Sequence, residues 1–151
     1  VHTLQSVMDE SVAAAIDRLS LRRISMDIKY ANEPLKVLGD KEKVKIAFLN
    51  IIINAIEAME NEKGKLLIIV ETNDNGHQVV IRDNGCGIPA ENISRLFEPY
   101  FTSKRNGVGL GLASTLNILQ SHKATVEVNS VINEGTTFTI LFHQHPVSSA
   151  S

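Results

Sequence analysis

The ten residues Asn50-Ile51-Ile52-Ile53-Asn54-Ala55-Ile56-Glu57-Ala58-Met59 constrain this chain more than any other stretch. They lie inside a helix that the sequence predicts from about Asp40 to Asn61. On helical geometry Lys43, Asn50, Asn54, Glu57 and Asn61 fall on one narrow stripe. Nearly every other position is apolar: Val44, Ile46, Ala47, Phe48, Leu49, Ile51, Ile52, Ile53, Ala55, Ile56 and Met59. A surface helix carries a broad face of Lys, Glu, Gln and Arg, so this one is expected at the centre of its layer. The middle of its polar strip is amide, although Asn is a mediocre helix former. A buried strip of uncharged oxygen and nitrogen suits a polar guest such as a metal ion or phosphates. Equally, both Asn side chains could satisfy backbone groups of a neighbouring segment. The helix alone leaves the two readings open.

The segments around it supply the layers. Leu4, Val7, Met8, Val12, Ala15, Ile16 and Leu19 follow helical spacing from about Leu4 to Leu21, with Ser6 and Asp9 as candidate caps. Ile24 to Tyr30 alternates as a half-buried strand, and Leu35 to Leu38 makes a short strand ending at Gly39. Asp40 is a natural N-cap for the central helix. Lys65 to Asn73 and His77 to Asp83 flank Asp74-Asn75-Gly76, a strong hairpin signal. Asn84 to Val108 is rich in Gly and Pro, with a helical turn expected near Glu91 to Phe97; a loop of that length in a compact domain is usually functional. Leu110 to Gln120 resumes helical spacing, and Val126 to Val131 and Thr136 to Phe142 complete the sheet. The order predicts an α+β two-layer sandwich, three helices on one face of a mixed, mostly antiparallel sheet. Residues 1–20 are set apart as a helical lead-in, 21–142 as the main domain and 143–151 as a tail.

Three further runs carry chemistry. Asp83-Asn84-Gly85-Cys86-Gly87 follows a strand directly, so its carboxylate can accept from an exocyclic amine while the glycines admit a ligand close to the backbone. By itself such a run is an ordinary turn. Gly107-Val108-Gly109-Leu110-Gly111-Leu112 opens a helix, where backbone N–H groups and the helix dipole favour phosphate. It is neither a Rossmann fingerprint nor a Walker A loop, and a hinge would read the same. Phe97-Glu98-Pro99-Tyr100-Phe101-Thr102-Ser103-Lys104 lies between these runs, with aromatics that can anchor a lid and a lysine that can reach an anion.

Composition narrows the partners. The formal net charge of -2, the 5% aromatic content and the absence of Trp argue against a nucleic-acid groove or a base-stacking surface. A single cysteine, Cys86, excludes an internal disulfide and a cysteine-based zinc cluster. No apolar run reaches the length of a membrane span, and no signal peptide opens the chain. The domain is therefore expected in a reducing, cytoplasmic setting and as a monomer. The start at Val1 is compatible with a larger parent protein, membrane-anchored or not.

Taken together, the order and spacing of these runs resemble the ATP-binding catalytic domain of sensor histidine kinases, in the superfamily shared with gyrase, Hsp90 and MutL. Asn50 to Ala55 resembles its N box, Asp83 to Gly87 the G1 box, Phe97 to Lys104 the F box and Gly107 to Leu112 the G2 box. Gly135-Thr136-Thr137-Phe138 is similar to the closing glycine-threonine motif. The resemblance implies a Bergerat-type fold with a long lid over ATP and Mg²⁺. It implies that Asn54 gives its side-chain oxygen to Mg²⁺, with Asn50 supporting the metal–phosphate site. Asp83 would accept from the adenine amine, with Gly85 and Gly87 beside it and Thr136 in a water or adenine contact. Phosphates would rest on backbone N–H groups around Gly107, Gly109, Leu110 and Gly111, with Lys104 as charge partner. The chain departs from many relatives in having Glu57 and Ala58, where a basic and then an aromatic residue are common. Glu57 would then reach metal through water, or point at Lys43 or Lys63.

The same resemblance separates transfer from hydrolysis. Hydrolysing members carry Glu at the position of Asn50 as general base, and Asn takes no proton at neutral pH. The expected acceptor is a histidine, yet none of His2, His77, His122, His143 or His145 stands in a phosphoacceptor pattern. The implied partners are thus a dimerisation and phosphoacceptor domain of the same parent protein and a downstream response regulator. A serine kinase of the anti-sigma-factor type shares these boxes. A degenerate nucleotide-binding scaffold is the reading from outside enzymology.

Overall fold

The computed structural model describes residues 2–60, 62–93 and 110–143. In chain order the elements are β1 (His2–Thr3), α1 (Leu4–Arg22), β2 (Ser25–Tyr30), β3 (Lys36–Val37), α2 (Lys41–Ala58), β4 (Lys65–Asn73), β5 (Gly76–Asp83), α3 (Ala90–Ile93), α4 (Leu110–Ser121), β6 (Ala124–Val131) and β7 (Gly135–His143). Five strands form one sheet in the order β2-β4-β5-β7-β6, with β2 and β4 parallel and the other neighbours antiparallel. The expected α+β sandwich with a mixed, mostly antiparallel sheet is the observed architecture.

Strand register sorts the sheet into rows that share its helix-covered face, because residues directly opposite one another point the same way. Ile28, Ile68, Ile81, Phe138 and Val128 form one row, and Tyr30, Val70, Val79, Ile140 and Val126 the next. Leu66, Ile68, Val70, Val79, Ile81, Phe138, Ile140 and Phe142 are all buried in the core. Against them α2 buries Val44, Ala47, Phe48, Ile51, Ile52, Ala55 and Ile56, with α1 and α4 packed on it. The rings of Phe48 and Phe142 meet edge to face, centroids 6.2 Å apart. Asp40 caps α2 as expected, its carboxylate accepting the N–H of Glu42 and of Lys43.

Several expectations are corrected. Thr3, rather than Ser6 or Asp9, caps α1 by accepting the N–H of Ser6 at 3.1 Å; Asp9 instead takes the hydroxyl of Tyr30 at 2.7 Å. The short strand near Leu35 to Leu38 does not join the main sheet but pairs with His2–Thr3 in a two-stranded ribbon. The first helix packs as one of the three in the layer: Leu4, Val7, Met8, Val12, Ala15 and Leu19 belong to the same core as α2. Its stripe is apolar enough to require a partner, and α2, apolar almost all round, provides one. α2 ends at Ala58 rather than Asn61, because the chain turns at Met59, whose N–H bonds back to Ile56 O at 3.2 Å. His143 closes β7 rather than opening the tail. The Phe97 to Lys104 run, Gly107, Gly109 and residues 144–151 lie outside the described residues.

Candidate active site

At one end of the sheet the apolar rows give way to a polar one. Leu66, Asp83, Thr136 and Ser130 stand directly opposite one another on β4, β5, β7 and β6. Asp83 and Thr136 are 5% and 4% exposed. Polar groups at that depth are tolerated only when bonded. Asp83 Oδ1 accepts the N–H of Gly85 at 2.8 Å, which turns the chain away from β5. Ser130 Oγ accepts the N–H of Ile88 at 2.7 Å and donates to Gly135 O at 3.0 Å. A serine hydroxyl holds one proton, so Thr136 Oγ1, 2.8 Å away, is the donor in its contact with Ser130.

The glycines of this region are required by the protein itself. A Cβ on Gly85 would lie 2.5 Å from Ala58 O, the carbonyl that also takes the N–H of Cys86 at 3.0 Å. Gly87 has φ +79°, and a Cβ there would lie 2.4 Å from Val131 O. Their expected reason was close approach of a ligand; the observed one is that the loop after β5 threads between the end of α2 and the β6–β7 turn. Gly135 is tighter still, with φ +133° and a Cβ position 2.0 Å from Asp83 O.

The asparagine strip lies beside this end of the sheet on the central helix. Asn50 and Asn54 are both half-buried. Asn50 Nδ2 donates to Thr115 Oγ1 at 3.2 Å, tying α2 to α4 through a fully buried hydroxyl. Asn54 Nδ2 donates to Asn50 O at 2.9 Å. The plainer reading had both amides serving backbone groups of a neighbouring segment; Asn50 instead bonds a side chain on α4, and Asn54 a carbonyl of its own helix. The Asn54 bond also assigns its amide, since only the nitrogen can serve a carbonyl; the other atom is an oxygen, the donor type Mg²⁺ prefers. Among the described residues no three or more His, Cys, Asp or Glu are grouped to hold a metal, so an ion beside Asn54 would draw most of its ligands from phosphate and water. Leu110 and Gly111 open α4, whose first-turn N–H groups have no acceptor within the helix. Glu57 is half-buried on the same strip, and Lys63 pairs with Glu60 at 3.7 Å.

Sequence reasoning missed Thr115 and Ser130. Thr115 interrupts the apolar stripe of Leu112 and Leu119, and a polar residue on such a stripe is a readable signal. Ser130 gave only its parity with Val126 and Val128.

A carboxylate buried at a sheet end, a half-buried strip of amides on the central helix and an α4 that opens at Leu110 are the features of this α+β domain to set beside known proteins. Residues 39–146 match the family of histidine kinase-, DNA gyrase B- and HSP90-like ATPases, and the chain belongs to that family. It is 33% identical to sporulation kinase A of Bacillus subtilis over 139 residues, covering 92% of this chain and 23% of that protein. It is 34% identical to the signal transduction histidine-protein kinase AtoS of Escherichia coli over 145 residues, 95% of this chain and 22% of AtoS. The catalytic domain of the histidine kinase ThkA superposes with a TM-score of 0.84 at 27% identity, covering 95% of this chain and 94% of that one. The chain is thus homologous to the ATPase domain of sensor histidine kinases and spans between a fifth and a third of the length of the first curated relatives. Among the described residues no helix is long and apolar enough to cross a membrane.

Proposed function

We propose that this chain is the ATP-binding catalytic domain of a sensor histidine kinase, and that it presents the γ-phosphoryl group of Mg-ATP to a histidine on a separate dimerisation and phosphoacceptor domain. The observation that carries the reading is that Asp83 is buried at the sheet end while the central helix α2 carries the half-buried Asn50–Asn54 strip. The carboxylate accepts from the adenine amino group, a contact that favours adenine over guanine. Thr136, directly opposite, supports it through water or the base edge. The first turn of α4 at Leu110 and Gly111, with Gly107 and Gly109 before it, holds phosphate oxygens on backbone N–H groups. Asn54 gives its amide oxygen to Mg²⁺, which neutralises phosphate charge when bound, and Asn50 holds that side chain in register. Lys104 is the candidate charge partner for the transferring group. Asn50 is no general base, so attack by water is not promoted and the nucleophile must come from a partner.

ThkA, a structural relative, has been solved in complex with the response regulator protein TrrA. A response regulator is accordingly the downstream partner we propose here. Isothermal calorimetry with a non-hydrolysable ATP analogue, with and without Mg²⁺, tests the reading. Binding that strengthens with Mg²⁺ is expected; no binding up to millimolar nucleotide would leave the scaffold alternative in its place.

A further inference from the structure

α2 and α4 run antiparallel and are tied by side chains at two places. Near the site the tie is Asn50 to Thr115. At the far end it is His122, just beyond the last residue of α4. Its Nε2 accepts the backbone N–H of Asp40 at 3.0 Å, the N-cap of α2. Its Nδ1 lies 2.8 Å from Ile118 O and 3.2 Å from Ser121 Oγ. A carbonyl only accepts and an amide N–H only donates, so these partners assign a neutral ring protonated on Nδ1. The residue before the cap, Gly39, has φ +135°, and a Cβ there would lie 2.1 Å from His122 Cδ2 and 2.4 Å from Nε2. The imidazole therefore sits over Gly39 in the space a side chain would fill. The cap residue is engaged on all sides: the Asp40 N–H with His122, its carboxylate with Glu42 and Lys43, its carbonyl with the N–H of Val44 at 3.1 Å.

We infer that His122 is a positioning residue for the nucleotide site: by clamping the start of α2 to the end of α4, it sets the spacing between the Asn54 strip and the first turn of α4. The inference rests on the nucleotide reading above. The geometry is that of a lever. Twelve residues of α4 span about 18 Å, a length over which a helix is stiff. With the far tie broken, α4 is held by the Asn50–Thr115 bond and the packing of Leu112 and Leu119, and it can pivot about them. Its first turn, where phosphate would rest, then moves relative to Asn54 although no residue touching nucleotide has changed.

Two amide substitutions separate the ring's two bonds. His122→Gln places an amide oxygen near the position of Nε2 and keeps an acceptor for Asp40. His122→Asn reaches only as far as Nδ1 and keeps a donor for Ile118. The measurements on the chain are Mg-ATP affinity by calorimetry and the hydrogen-exchange rate of the Asp40 amide. His122→Asn is expected to weaken Mg-ATP binding about tenfold, within the usual range of coupling between linked sites, and to speed exchange at Asp40. His122→Gln is expected to keep affinity within about twofold of the original and to leave Asp40 protected. If His122→Asn does not fold, Gly39→Ala, which displaces the ring from the other side, is expected to show the same tenfold loss. Equal affinities for the Gln and Asn variants, or unchanged Asp40 exchange in His122→Asn, would overturn the clamp while leaving the nucleotide reading intact. A parent chain that binds no Mg-ATP would overturn that reading, and the role of His122 with it.

Discussion

Asp83 is the residue on which nucleotide discrimination turns in the proposed function. It is buried, bonded to the Gly85 N–H and opposite Thr136. Asp83→Asn keeps size and the local turn while replacing a charged acceptor, so adenine affinity should fall by about 1.5–3 kcal/mol with the unfolding midpoint little changed. Calorimetry that found equal affinity would remove Asp83 from the adenine contact. Asn54→Ala should abolish the Mg²⁺ dependence of ATP binding; persistence of that dependence would place the metal elsewhere. Gly135→Ala forces a Cβ to within 2.0 Å of Asp83 O at a positive φ. It should cost about 2–4 kcal/mol in urea unfolding, and adenine affinity should fall with it because the displaced backbone carries Asp83. His77 adds a pH dependence. It is 9% exposed, and burial holds its imidazole below the ordinary histidine range, with Glu33 acting weakly in the opposite sense. The unfolded chain takes up that proton near pH 6.5, about the free-imidazole value, while the folded one does not. The contribution to stability is therefore complete above that pH and is lost as pH falls through the lower folded value. Urea midpoints at pH 7.5 and 5.5 should diverge more for the parent chain than for His77→Gln.

Among the elements, α1 shows how far the packed unit extends. Its Glu10 carboxylate is paired with Lys41 on α2, a bond that holds Glu10 below the ordinary carboxylate range. Ser11 Oγ donates to Val7 O at 2.8 Å and reaches Lys45 O at 3.3 Å. Arg22 donates to Ile56 O and Met59 O, adding a side chain to the C-terminal end of α2. The exposed pair contributes little, and the buried apolar stripe supplies most of the docking energy. Met8→Ala should thus destabilise the whole domain by about 2–5 kcal/mol. Leu21→Ala, at a residue 84% exposed, should stay within about 0.5 kcal/mol. Equal effects in urea unfolding would mean that α1 is not part of the cooperative unit.

For the molecule as a whole, the proposed division of labour predicts what the chain cannot do alone. With γ-labelled ATP and Mg²⁺ it should incorporate no label, since no histidine of the chain stands in an acceptor pattern. Label should appear on an added phosphoacceptor hairpin from the same parent protein. Incorporation into the isolated chain would refute the separation of donor and acceptor.

The sequence by itself determined the elements and their layers, because their signals are local: alternation marked β2, the Asp74-Asn75-Gly76 turn marked the β4–β5 hairpin, helical spacing marked α1, α2 and α4, and Asp40 announced a cap. The asparagine strip and the Asp83 run were legible for related local reasons, the first as an amide strip on an otherwise apolar helix, the second as a carboxylate and glycines directly after a strand. Tertiary structure alone decided what depends on distant segments meeting. Nothing local tells that Gly85 and Gly87 serve the end of α2 and the β6–β7 turn, or that Gly135 lies against Asp83 O. Nor does it tell that β3 pairs with His2–Thr3. The opening question about α2 has the same answer. That its strip is buried could be read from its neighbours in sequence. That Asn50 reaches Thr115, and that the start of the helix rests on His122, required a helix some seventy residues away in the chain to be folded against it.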